Sequence, residues 1–165
     1  MVKQQLLALE SIDTFYFDDC QLLGIQTKLG ATQLCYTLEA YLGLPFHRKL
    51  TNDVAINFIS GKDSGLGIAG TLFENVPVEE LVHFALFEHQ LSFSDAHIYI
   101  YQNQQRGYFL IPEQKQFQYF MLIQDECLQI ARQPLQHWIN QIPDIHACRS
   151  IDIEALGKSK ENLII

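Results

Sequence analysis

The apolar positions change period along the chain, and each change predicts an element. In residues 14–27, TFYFDDCQLLGIQT, Phe15 and Phe17 alternate with Thr14 and Tyr16, and Leu23 and Ile25 resume the same parity. Such alternation marks a half-buried strand, and Asp18-Asp19 predicts a bulge or bend inside it. Residues 31–43 switch to helical spacing, with Ala31, Leu34, Cys35, Leu38, Tyr41 and Leu42 on one stripe. Gly43 and Pro45 predict the stop, because glycine accepts the left-handed cap and proline cannot continue the helix. Residues 46–59 return to strand around VAINFI, and residues 60–76 read as a flexible glycine-rich loop. Residues 81–91 are ambiguous: VEELVHFALFEHQL fits a helix after Pro77, or a strand with Phe84 and Leu86 opposite Ala85 and Phe87. The strand is favoured, because AHIYIYQ at 96–102 follows as its hairpin partner.

GYFLI at 107–111 and FQYFMLI at 117–123 complete an antiparallel meander. Between them, IPEQ suits a turn: Pro112 pre-sets φ and lacks the N–H that a continuing ladder would use. After Asp125, Leu128, Ile130, Leu135, Trp138, Ile139 and Ile142 fall at helical spacing. Pro134 either kinks that segment or starts its helix; a helix from about 133 to 142, with Trp138 on its packed face, is the expectation. IHACRSID at 145–152 is the last strand, and 157–165 is a C-terminal tail whose NLII argues for burial rather than fraying. The order strand, helix, meander, helix, strand predicts one α+β domain over residues 1–165. Its sheet is mostly antiparallel, carries two helices and follows a split-βαβ-like plan.

The strand centres are apolar on both sides. Phe117, Tyr119, Met121 and Ile123 share one parity, Phe120 and Leu122 the other, and Ile98 and Ile100 oppose Tyr99 and Tyr101. A one-sided antiparallel sheet would alternate apolar with polar. Two helices cover one face, so Tyr99, Tyr101, Phe120 and Leu122 form a candidate interaction surface. A protein partner or a second copy is expected to cover it at least in part.

Composition narrows the function classes. Of 165 residues, 48% are hydrophobic and only 18% charged, which suits a folded domain of ordinary size. A net charge of −8 without a basic stripe argues against nucleic acid as a partner. The opening MVKQQLLALESID lacks the apolar core of a secretion signal, and no run of about 18 apolar residues predicts a membrane span. Cys20, Cys35, Cys127 and Cys148 form no CxxC pair and read as reduced thiols, so a cytoplasmic protein is expected.

Candidate chemistry is thin. GLGIAG at 65–70 fits the dinucleotide spacing but lacks the preceding strand and following helix that the fingerprint needs. Gly61-Lys62 is followed by Asp63, so it is no phosphate loop. His83, His89 and His97 on neighbouring strands could bind a metal, but histidines on strand surfaces are the plainer reading. Asp18 and Asp19 point to opposite sides of a strand, which suits no paired-carboxylate chemistry. Neither a catalytic set, a cofactor nor a metal is assigned.

Ile111-Pro112-Glu113, three residues, then Phe117-Gln118-Tyr119 resembles the signature of the IPExxxVDY family, small proteins of the Bacteroidota named for that motif. KSKENLII at 158–165 is similar to the family's ending, and LLGI with the helix end YLGL adds to the likeness. Phe117 stands for Val, which a buried strand tolerates. Gln118 stands for Asp and cannot act as acid or base. The resemblance implies a whole-chain domain and brings no activity. Ile111, Pro112, Glu113 and Tyr119 are read as a structural turn with Glu113 facing solvent. The functional expectation is a non-enzymatic binding or protein-interaction module, self-associating or not. The alternative is a small-molecule sensor or enzyme with a pocket between the sheet and the 60–76 loop.

Overall fold

A computed structural model describes residues 16–60, 78–92, 94–124 and 134–164. The strands are β1 (Gln21–Thr27), β2 (His47–Arg48), β3 (Val54–Ser60), β4 (Val78–Phe84), β5 (Leu86–Gln90), β6 (His97–Gln102), β7 (Gln104–Gln105), β8 (Tyr108–Phe109), β9 (Tyr119–Ile123) and β10 (Ile145–Ile151). The helices are α1 (Ala31–Leu42) and α2 (Leu135–Ile139). Six strands form one antiparallel sheet in the order β10-β1-β9-β6-β5-β2. Since β9 runs antiparallel to both β1 and β6, those two run parallel with β9 between them. Helix α1 lies in the connection from β1 to β6, and α2 in that from β9 to β10. This is the split βαβ plan, and the fold is α+β with a mostly antiparallel sheet.

The two faces carry different covers. Leu23, Ile25, Ile98, Ile100, Tyr119, Met121 and Ile123 pack against Leu34, Cys35 and Leu38 of α1 and Ile139 of α2. On the other face lie Leu22, Leu86, Tyr101, Phe120 and Leu122. They are covered by Phe17, by the β3–β4 ribbon, by Leu110, Ile111 and Phe117, and by Ile153, Leu156 and Leu163 near the C-terminus. Residues 78–90 are strand, as the hairpin argument requires, with Phe84 and Leu86 on the second face and Ala85 and Phe87 on the helix face. The strand changes sheet at Ala85: β4 pairs with β3, and β5 with β6.

The second face therefore corrects one expectation. Tyr101, Phe120 and Leu122 are fully buried by their own chain and Tyr99 is half-buried, so this set is no open interaction surface. Other boundaries shift as well. Phe17, Asp18 and Asp19 form a turn closed by the Cys20 N–H on the Phe17 carbonyl, 3.0 Å, and the strand begins only at Gln21. The strand drawn over 46–59 is split by a 3-10 turn at Leu50–Asn52. GYFLI keeps only Tyr108–Phe109 as strand, because Leu110 and Ile111 turn inward instead. Phe117 joins the second face, not that of Tyr119, since Gln118 bends the chain before β9 begins. Pro134 caps α2 rather than kinking it, and the helix ends at Ile139. The 60–76 loop, apart from Ser60 at the end of β3, lies outside the described residues.

The C-terminal cover is a 3-10 segment, Glu154–Leu163, kinked at Gly157 with φ 56°. A side chain is disfavoured at that positive φ, so glycine sets the bend that brings both Leu156 and Leu163 onto the sheet. Leu163 is fully buried, and its carbonyl accepts the Tyr101 hydroxyl at 2.7 Å. Asn162 Nδ2 donates to the Leu110 carbonyl at 2.8 Å. The Ser159 hydroxyl lies 2.8 and 3.0 Å from the two carboxylate oxygens of Glu113. This C-terminal strap is thus fastened to the turn that follows β8.

That turn is organised by Asn103, which is fully buried just past β6. Its side-chain oxygen accepts the Ile111 N–H at 2.9 Å, and its amide donates to the carbonyls of Gln114 (3.1 Å) and Phe117 (2.9 Å). Its own N–H donates to the Gln118 carbonyl at 2.9 Å, and its carbonyl accepts the Leu110 N–H at 2.8 Å. Replacing Asn103 with Leu strands the buried Ile111 N–H and the Phe117 carbonyl, while the Gln114 carbonyl keeps the Phe117 N–H at 3.2 Å; each unpaired buried group costs on the order of 1–3 kcal/mol. Asn103→Leu should lower the unfolding free energy in urea by at least about 2 kcal/mol. A loss below about 0.5 kcal/mol, the scale of an ordinary surface change, would show that Asn103 does not hold the turn.

Candidate functional site

The residues of the motif turn do not converge on one point. Ile111 is buried core, and Pro112 opens the 3-10 turn Pro112–Gln114, whose last N–H returns to the Ile111 carbonyl at 3.1 Å. Glu113 is exposed and holds Ser159, and among the described residues no cation pairs with it. Phe117 lies over Gly24 of β1; a Cβ there would stand 2.6 Å from the ring, so only glycine permits this approach. Gln118 accepts the Thr27 N–H at 3.0 Å, and the Tyr119 hydroxyl donates to the Leu29 carbonyl at 2.9 Å. Ile111 and Phe117 fill the core, Gln118 and Tyr119 bond backbone groups, and exposed Glu113 holds the Ser159 side chain.

The histidines do not meet either. His89 lies on the helix side, with its Nδ1 2.8 Å from the Pro45 carbonyl and its ring tilted against Phe46. His97 faces the other side and stacks on Tyr99 at 5.6 Å. His83 is exposed on the β3–β4 ribbon. Among the described residues no three His, Cys, Asp or Glu side chains gather as a metal site.

The buried thiols and phenols are held neutral. Burial pushes the Cys35 and Cys148 thiols from 9.0 up to about 12. Burial, then the charge of Asp19, pushes Cys20 up to about 11. Burial likewise raises Tyr99 from 10.0 to about 12, and raises Tyr119 and Tyr101. Thiols raised this way are poor nucleophiles at neutral pH.

What stays open is a groove of about 630 Å3 between the helices. Its floor is Ile98 of β6 with His89 and Leu91; one wall is the end of α1 and the chain after it, Tyr41 to Pro45; the other is Leu135 and Trp138 of α2. Trp138 was expected in the core, and Tyr41 on the buried stripe. Instead Trp138 is 48% exposed and Tyr41 60% exposed, because Leu34, Cys35 and Leu38 alone fill the contact of α1 with the sheet. The helical period marked the stripe, but a helix of only five residues, Leu135–Ile139, buries just Ile139. A second recess of similar volume, lined by Gln90, Leu91, Ser92, Ser94 and Asp95, shares Leu91 and Ser92 with the groove.

The sheet's outer edge is less available. On β10 the Cys148 N–H donates to Asn140 Oδ1 at 2.8 Å, and its carbonyl accepts from Asn140 Nδ2 at 2.9 Å and Gln136 Nε2 at 3.1 Å. Those side chains occupy the positions that an added strand would use at the middle of the edge.

The raised thiols and phenols set a pH dependence. Above pH 9 the unfolded chain sheds thiol protons that the folded chain keeps. The unfolded state then binds fewer protons, so stability falls as pH rises; below that point the contribution is flat. Unfolding free energy should hold level up to about pH 9 and decline above it. Phenolate absorbance from Tyr99 and Tyr101 should appear with unfolding rather than near 10.0. Alkylation of Cys35 and Cys148 in the native protein at pH 8 would contradict this.

No family model, no curated protein and no solved structure matches the chain.

Proposed function

We propose that the chain is a non-enzymatic protein-binding module whose docking site is the groove between α1 and α2. One observation carries the reading: the single tryptophan of the chain, Trp138, stands half-exposed on the wall of an apolar groove opposite exposed Tyr41. Exposed tryptophan and tyrosine beside a concave apolar floor are the residues that dominate binding energy at protein interfaces. The buried thiols and phenols support a binding role over a catalytic one, since they are neutral and engaged in packing. A cytoplasmic setting belongs to the same proposal, supported by Cys20, Cys35 and Cys148 standing as free thiols. So does kinship with the IPExxxVDY family, in which the motif and tail serve the architecture: here Glu113 holds Ser159, and Leu110 holds Asn162.

The groove's size, about 630 Å3, also suits a small apolar molecule, the second reading. Trp138 reports directly on either. Titration with the neutral dye N-phenyl-1-naphthylamine should quench Trp138 emission by energy transfer. Trp138→Ala should weaken dye binding about tenfold or more, as for an aromatic anchor. Dye that does not bind, or binds Trp138→Ala as well, would overturn the groove as a binding site. Single-copy occupancy in sedimentation with the dye, and displacement by a peptide rather than by small apolar acids, separates the first reading from the second.

A further inference from the structure

We infer that the segment docking in this groove is basic, a Lys- or Arg-bearing stretch of a partner protein; the inference rests on the groove being the docking site. Two features around it attract a cation, and each has a different source.

The first is the end of α1. The helix runs for 12 residues, its last turn holds no basic residue, and its C-terminal side, Tyr41 to Leu44, lines the groove. The carbonyls of a last turn carry partial negative charge, which Lys or Arg normally answers within the chain. Here the turn itself supplies none. The second is Asp95, in the recess that shares Leu91 and Ser92 with the groove. It is exposed and takes part in no ion pair among the described residues, so its charge is open to a ligand at that end of the groove.

The apolar part of the groove matches the same ligand. A lysine or arginine side chain is an aliphatic stem with a charged head, and it lays the stem on apolar surface. The faces of Trp138 and Tyr41 attract the head through the ring quadrupole. A net charge of −8 draws basic partners from a distance and repels acidic ones.

The test uses the full chain and three acetylated tripeptide amides, Leu-Lys-Lys, Leu-Ser-Ser and Leu-Glu-Glu, read by Trp138 emission. The lysine peptide should bind about tenfold more tightly than the serine one, and the glutamate peptide most weakly. The advantage of lysine should shrink to about threefold or less in 1 M salt and in Asp95→Asn. Equal response to all three peptides would overturn the basic preference and leave the groove as a docking site. No response to any peptide, with the neutral dye still bound, would also overturn this inference. Loss of dye binding as well would remove the reading on which it rests.

Discussion

Strands β1, β6 and β9 are buried on both sides, and the rest of the molecule answers that constraint. A strand can be apolar on both faces only if two separate layers cover it. The helices supply one layer. The other is assembled from the β3–β4 ribbon, the turn around Phe17, the loop from Asn103 to Phe117 and the C-terminal strap. Apart from the ribbon, a regular antiparallel pair, these pieces are turns, a two-residue hairpin and a 3-10 segment. Their backbone groups are satisfied by a few side chains placed for the purpose: Asn103 inside the loop, and Tyr101 and Asn162 between body and strap.

The consequence for function is a matter of what remains uncovered. With Phe120 and Leu122 at zero exposure, the centre of the second face is closed to a partner. With Cys148 clasped by Asn140 and Gln136, the middle of the β10 edge offers little. Among the described residues, the large aromatic side chains left in solvent beside a concavity are Tyr41 and Trp138 on the helix layer. Their exposure follows from element length. Helix α2 is too short to wrap its tryptophan inward, and α1 meets the sheet through only three buried side chains.

Much of the fold was legible because period-two and helical spacings are local signals. Phe84 and Leu86 opposite Ala85 and Phe87, and Ile98 and Ile100 opposite Tyr99 and Tyr101, take the faces that alternation assigns. Gly43 stops α1 as its φ of 66° requires. The misreadings share a physical cause, which is that parity holds only while backbone stays extended. Phe17 sits in a turn, and Phe117 precedes the bend at Gln118, so both leave the face that parity gave them. The candidate groove was not legible. Its walls come from residues about a hundred positions apart in the chain, and helical spacing cannot tell a packed Trp138 from one at a rim. The signal that existed was weaker: Pro134, at the start of the helix, left it too short to bury every apolar residue in its stripe.

The central claim is that the chain closes its own second face with the C-terminal strap. Deletion of residues 161–165, followed by urea unfolding and dye binding, tests it most directly. The deletion removes buried Leu163 and its bond to Tyr101, together with the Asn162 bond to Leu110. Unfolding free energy should fall by at least about 3 kcal/mol, the scale of emptying a buried leucine site and losing its hydrogen bonds. The shortened chain should also bind apolar dye at a second place, the uncovered face over Phe120 and Leu122. Unchanged stability with no new dye binding would contradict it, and would mean that the second face is closed without the strap.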